Sequence, residues 1–160
     1  MKLFILRHGE AEAMMSRDEE RQLTDRGRAD VDRVIASRAQ ELSVVERVLV
    51  SPYIRAQQTA DIVEKHLEGT PRHTTPYLVP ESNPIELIRW LSTQCFGDLE
   101  LNAILLVSHQ PLVGTLVNEL SGDPMGMHSM GTANLASLDA EVLAYGLAEL
   151  NWLVRPGDLA

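Results

Sequence analysis

Two short apolar runs in this chain end in a histidine, and that repeated arrangement limits what it can fold into. Leu3-Phe4-Ile5-Leu6 runs into Arg7-His8-Gly9, and Ile104-Leu105-Leu106-Val107 runs into Ser108-His109. A third run, Val48-Leu49-Val50, leads through Ser51-Pro52-Tyr53-Ile54 to Arg55. Continuous apolar stretches this short suit parallel strands buried on both faces. Open α/β sheets form their ligand crevice beyond the carboxyl ends of such strands. The pattern therefore predicts two histidines and two arginines on one rim, a site suited to phosphoryl chemistry.

Helical segments alternate with these runs. Thr24 reads as the N-cap of a helix with Asp25 in its first turn, and Val31, Val34, Ile35, Ala39 and Leu42 mark its buried face. Gly27 sits inside that first turn, at a cost of about 1 kcal/mol relative to alanine; a close backbone approach near the site would explain it, and a merely tolerated glycine would do so equally well. Ala11 to Gln22 is polar and aperiodic, and reads as a loop. After Val50 a helix buries Ala56, Thr59, Ala60, Val63 and Leu67 and stops at Gly69. The proline-bearing stretch from Thr70 to Pro80 contains a β-like piece, Tyr77-Leu78-Val79. Asn83-Pro84-Ile85-Glu86 then reads as N-cap, N1 proline and capping-box acid of a helix carrying Ile85, Ile88 and Leu91. A further helix from about Leu112 buries Leu112, Val113, Leu116, Val117 and Leu120 and ends near Gly122. Asp123 to Gly131 reads as loop. Leu135–Leu138 and Leu147–Leu153 read as a closing hairpin at a sheet edge. This order predicts a three-layer α/β/α sandwich around a mostly parallel sheet, a single domain over residues 1–160.

Composition narrows the function classes. A net charge of −9 argues against nucleic acid and anionic membranes as partners, since both recruit basic surfaces. The arginines of the predicted rim run against that global field. The lone Cys95 cannot form an intramolecular disulfide and reads as a small buried apolar residue. The apolar stretch at the amino end covers only Leu3 to Leu6, too short for a signal-peptide core, and no run approaches a membrane span, so the expectation is a cytoplasmic protein. The carboxylates show no Asp-x-Asp and the histidines no His-x-x-x-His spacing, so no metal or cofactor is expected.

The rim residues have matching chemistry. A neutral imidazole is a competent nucleophile toward phosphorus when one ring nitrogen is held as donor and the other left free, which is the role read for His8. Arg7 and Arg55 are forked donors suited to pairs of phosphoryl oxygens. His109, if protonated, adds another cation, and the amides of the helix after it favour an anion. Gly9 lets the backbone approach a phosphate closely. Taken singly, each has a structural explanation: His109 can start a helix, and Arg55 can be a solvated first-turn arginine. Their common position past strand ends is what argues for a joint site. His66 reads as solvated beside Glu64, Lys65 and Glu68; His73 lies in the proline-bearing connection, and His128 in a surface loop.

At these residues the chain resembles the histidine phosphatase superfamily, with its phosphoglycerate mutase-like fold. Arg7-His8-Gly9 matches the signature, joined by Arg21-Gln22-Leu23-Thr24-Asp25-Arg26-Gly27, Ser51-Pro52-Tyr53-Ile54-Arg55-Ala56-Gln57-Gln58-Thr59 and Ser108-His109-Gln110-Pro111. Within the superfamily the short chain is most similar to the SixA-type phosphohistidine phosphatases of bacteria. The resemblance implies that His8 is the transient phosphoryl acceptor, that Arg7 and Arg55 bind the phosphoryl group, that His109 stabilises it, and that Arg21 helps at the rim. Larger members carry a lid with an acidic residue; here Pro80 to Leu101 has room for one helix, and Glu81 is the candidate general acid, with water as the alternative. A missing lid suits a phosphorylated side chain presented by another protein. The expected substrate is phosphohistidine on a histidine phosphotransfer domain or phosphocarrier protein, with phosphate or another oxyanion as the bound group. A small phosphomonoester as substrate, or a non-catalytic phosphohistidine-binding regulator, are the competing readings.

Overall fold

The computed structural model describes residues 1–13, 17–96, 100–123 and 129–159. In chain order its elements are β1 (Lys2–Arg7), α1 (Asp25–Ser37), α2 (Ala39–Leu42), β2 (Arg47–Val50), α3 (Ile54–His66), β3 (Arg72–Thr74), α4 (Pro84–Phe96), β4 (Ala103–Ser108), α5 (Leu112–Ser121), β5 (Leu135–Ala140) and β6 (Ala148–Val154). Short 3₁₀ turns occupy Asp18–Glu20, Pro76–Leu78 and Pro156–Asp158. The strands form one sheet in the order β3-β2-β4-β1-β5-β6. The first four are mutually parallel; β5 runs antiparallel to β1, and β6 antiparallel to β5. The mostly parallel α/β sandwich is thus the architecture that forms.

The central strands are apolar throughout because helices cover both faces. Every residue of β4 is buried, as are Leu3 to Leu6 of β1. Alternate side chains then enter opposite cores. Leu3, Ile5, Leu49, Ile104 and Leu106 pack with Leu87 and Leu91 of α4 and Leu112, Val113 and Leu116 of α5. Phe4, Leu6, Val48, Val50, Leu105 and Val107 pack with Val31, Val34 and Ile35 of α1 and Ala56, Ala60 and Val63 of α3.

The helix ends follow their capping residues. Thr24 accepts from the Gly27 amide at 2.9 Å, and Asn83 Oδ1 accepts from the amides of Ile85 and Glu86 at 2.8 and 3.3 Å. Gly122 closes α5 in the left-handed conformation, with φ of 73°. The β5–β6 hairpin lies at the sheet edge, as its alternation predicts.

Four local expectations need correction. Tyr77-Leu78-Val79 is no strand: Pro76 starts a 3₁₀ turn over Pro76–Leu78, capped by the Thr75 hydroxyl. The strand of that connection is Arg72–Thr74, whose polar sequence hides it because it sits at the sheet edge beside β2. Asp18–Glu20 is a 3₁₀ turn within the supposed loop, and Ala11 bridges to Leu23. Ser37 ends α1, and Ala39 and Leu42 belong to the separate α2. The buried stripe of α4 is Leu87, Leu91 and Cys95, while Ile85 is 53% exposed. The Asp123–Gly131 segment falls largely outside the described residues.

Gly27 has the close approach its position suggests. A Cβ there would overlap the carbonyl oxygen of Glu10, and a Cβ on Gly9 would come 2.6 Å from the Gly27 carbonyl. The chain leaving β1 thus lies directly against the first turn of α1. Alanine at Gly27 gains helix propensity but collides with backbone, so Gly27→Ala should destabilise the protein by about 1–3 kcal/mol. Urea unfolding measures this; unchanged or raised stability would contradict the packing described.

Candidate active site

Strand register assembles the site. Arg7 at the end of β1 lies opposite Ser108 at the end of β4, and Val50 of β2 lies opposite Val107. The ladder continues one step beyond, with the His8 amide donating to Ser108 O and the Ser51 amide to Val107 O. His8, His109 and Ser51 therefore leave three adjacent strands at the same level. Parallel strands lie about 4.8 Å apart, so their first loop residues are neighbours in space. The two imidazole centroids are 5.0 Å apart.

His8 is 5% exposed, and its Nδ1 lies 2.7 Å from the carbonyl oxygen of Gly9. A carbonyl only accepts, so Nδ1 carries the proton and Nε2 keeps its lone pair. That lone pair faces Arg55, whose Nε–H donates to it at 3.3 Å. Burial first, then the charges of Arg55, Arg7 and Arg21, push the His8 pKa down to about 3, against a partial upward pull from the Gly9 hydrogen bond. The ring is held neutral at neutral pH, with Nε2 unprotonated.

Arg55 reaches the site from the first turn of α3 and is 4% exposed. Asp18 holds its other edge: the Asp18 carbonyl accepts from Nη1 at 2.7 Å and Oδ2 from Nη2 at 3.1 Å. Oδ1 of the same carboxylate accepts from Arg21 at 3.0 Å. Partial burial works to raise the Asp18 pKa, but the hydrogen bonds and charges of Arg21 and Arg55 outweigh it and hold the carboxyl below its ordinary range. Arg21 is further anchored by the Glu12 carbonyl at 2.8 Å. Sequence reasoning missed Asp18, because a carboxylate in an aperiodic polar segment carries no signal; its three-residue spacing from Arg21 was the one available hint.

Arg7 donates through Nη1 to the Met130 carbonyl at 2.9 Å, while its buried Nε has no partner among the described residues. Burial, then Arg55 and Arg21, lowers its pKa. His109 is 1% exposed, lies 2.7 Å through Nε2 from Ser51 Oγ, and has no partner for Nδ1 among the described residues. Burial, then His8 and the arginines, pushes its pKa down to about 2. The ring is therefore neutral, where the sequence reading allowed a cation. Tyr53 packs edge-on against it, with centroids 5.0 Å apart.

The remaining candidates are placed as follows. Gly9 donates its amide to Thr59 Oγ1 at 3.2 Å, so its lack of a side chain serves the contact with Gly27. Glu81 is exposed and accepts from the Tyr53 hydroxyl at 3.2 Å, one side chain away from His109. His66 pairs with Asp32 at 2.8 Å and His73 is exposed, both away from these residues; His128 lies outside the described residues. Among the described residues no group of three or more His, Cys, Asp or Glu comes together to hold a metal.

Three buried side-chain nitrogens among the described residues lack a partner, and two of them, Arg7 Nε and His109 Nδ1, belong to this cluster. Buried polar nitrogens are nearly always satisfied, and these two lie in the same cluster as the unprotonated Nε2 of His8, an arrangement suited to an oxyanion. This geometry agrees with what the chain is similar to. The family model of the histidine phosphatase superfamily (branch 1) matches residues 3–79. The chain belongs to that superfamily, in its SixA-type group. It is 33% identical over 163 residues to the phosphohistidine phosphatase SixA of Escherichia coli K12, covering 99% of this chain and 96% of that one. A SixA homolog of Haemophilus influenzae is 33% identical over 145 residues, covering 84% and 87%. The solved structure of the protein histidine phosphatase SixA complexed with tungstate superposes with a TM-score of 0.86 at 31% identity, over 99% of each chain.

Burying two neutral imidazoles has a consequence for stability. Below the ordinary histidine pKa of 6.5 the unfolded chain binds protons that folded His8 and His109 refuse until about pH 3 and 2. The unfolded state then holds more protons, so stability must fall as pH falls through this window. Thermal unfolding between pH 7 and 4 should show a declining Tm, and His109→Gln should flatten the decline. A Tm that rises on acidification would contradict the assigned ionisation.

Proposed function

We propose that this protein is a phosphohistidine phosphatase that removes phosphate from phosphohistidine on a partner protein, with His8 as the transient phosphoryl acceptor. The observation that carries the reading is the grouping of the unprotonated His8 Nε2 with Arg7 Nε and His109 Nδ1, which have no partner among the described residues. An arriving phosphoryl group supplies oxygens for Arg7 Nε, for an N–H at His109 Nδ1 and for the Arg55 Nε–H that caps His8. Taking that N–H away from His8 uncaps the attacking lone pair. Nε2 then forms a bond to phosphorus as the bond to the substrate imidazole breaks, and a proton from Glu81 or water neutralises the departing nitrogen. Water next attacks phosphorus, the bond to His8 breaks, and phosphate leaves. Charge on the equatorial oxygens is met by Arg7 and Arg55, with Arg21 at the rim.

The lack of a lid element among the described residues supports a side chain as substrate. Between Pro80 and Leu101 the described residues hold α4 and no lid. Small phosphate esters benefit from closure that excludes water, whereas a residue on another protein brings its own covering surface. Imidazole also leaves readily once protonated, which lowers the demand on an enzyme acid. Histidine phosphotransfer domains and phosphocarrier proteins are the partners this reading favours, and it carries with it a cytoplasmic site of action. The chemistry is routed through side chains alone, so activity should persist fully in EDTA.

The test is direct. Kcat/KM on a phosphohistidine protein should exceed that on sugar phosphates, and preference for the sugars would overturn the choice of substrate. His8→Ala should abolish turnover and the acid-labile phosphoenzyme while leaving the fold intact. Arg55→Ala removes a charge-assisted hydrogen bond of about 1.5–3 kcal/mol, so kcat/KM should fall at least tenfold. Normal turnover in either variant would contradict the assigned role.

A further inference from the structure

Ser51 is fully buried at the end of β2, and its hydrogen bonds can be counted. Its amide donates to Val107 O at 3.1 Å and its carbonyl accepts from Gln57 Nε2 at 2.8 Å. Its hydroxyl oxygen accepts the Tyr53 amide at 3.3 Å and lies 2.7 Å from His109 Nε2. The hydroxyl still has a proton to place. Among the described residues the one acceptor within reach is that ring nitrogen. If Nε2 carried the imidazole proton instead, the Ser51 proton would be buried without a partner, at a cost of about 1–3 kcal/mol.

We propose that Ser51 is a positioning residue: its hydroxyl donates to Nε2 of His109, keeps the ring proton on Nδ1, and so presents an N–H to the bound phosphoryl oxygen. The inference deepens the phosphatase reading and rests on it only for the identity of the oxyanion. Among the described residues Nδ1 has no protein partner, so the donor that Ser51 creates faces no competing acceptor there. The ring has little freedom to escape this assignment. Tyr53 packs on it edge-on, and Tyr53's own amide is tied to the same hydroxyl. His8 is held by the same logic in the mirror role: there a carbonyl takes the Nδ1 proton and leaves Nε2 bare. One acceptor and one donor therefore sort two adjacent imidazoles into a nucleophile and an oxyanion donor.

The experiment is a two-bond ¹H–¹⁵N correlation spectrum of protein labelled with ¹⁵N-histidine, with His109 assigned by its loss in His109→Gln. His109 is expected as the Nδ1–H tautomer, and titration with tungstate should move its Nδ1–H resonance. Ser51→Ala should abolish the single tautomer and weaken tungstate binding about tenfold or more, as expected for losing an aligned donor to a charged group. A wild-type spectrum with the proton on Nε2 would overturn the proposal, as would Ser51→Ala protein with unchanged tautomer and unchanged tungstate affinity. Should Ser51→Ala fail to fold, the wild-type tautomer and its response to tungstate decide the matter alone. Neither readout needs a phosphohistidine substrate. A wrong choice of substrate would thus appear in the turnover comparison and leave these spectra unaffected.

Discussion

The parallel pairing of β1 with β4, Arg7 opposite Ser108, is the contact on which the chemistry depends. It brings the residues that follow each strand to one level, and β2 on the far side of β4 adds Ser51 in the same row. Because side chains alternate along a strand, a slip of one residue would turn every apolar side chain of β1 into the opposite core. The register is therefore held by both hydrophobic clusters at once. The energy that places the two imidazoles side by side comes from burying Leu3 to Leu6 and Ile104 to Val107, far from the reacting atoms.

That scaffold supports an unfavourable arrangement. Two guanidinium groups and two imidazoles share a small, largely buried space in a protein whose net charge is −9. The cluster is tolerable because burial keeps both histidines neutral and because Asp18 sits between Arg55 and Arg21. Asp18 also occupies the outer edge of Arg55, so the Nε edge is left for His8. Among the described residues Arg7 Nε and His109 Nδ1 stay without partners, an arrangement that suits an oxyanion.

Legibility followed the physics of each signal. Apolar runs and capping residues act locally, so β1, β2, β4, the start of α1 at Thr24 and the start of α4 at Asn83 could be read from the chain. The edge strand Arg72–Thr74 escaped because an edge strand needs no apolar pattern, and Pro76 redirected the neighbouring Tyr77-Leu78-Val79 into a turn. The stripe on α4 was read correctly at Leu91 but began at Ile85 instead of Leu87, because the two are equally apolar and only the packed neighbours choose between them. His8, His109, Arg7 and Arg55 were legible because each follows a strand end. Asp18 and Ser51 act through another residue's side chain, and nothing along the chain advertises a partner 37 or 58 positions away.

By itself the sequence determined the longer helices and the central strands, that those strands would be buried on both sides, and which four residues stand past their ends. Those properties depend on neighbours a few positions away, through periodicity, capping and strand length. Only the tertiary structure decided how the protons and charges are arranged: a neutral ring at His109, a bare Nε2 at His8, and a carboxylate clamped on two arginines. Ionisation and tautomer depend on what surrounds an atom in three dimensions, and that environment comes into being only when distant segments pack together.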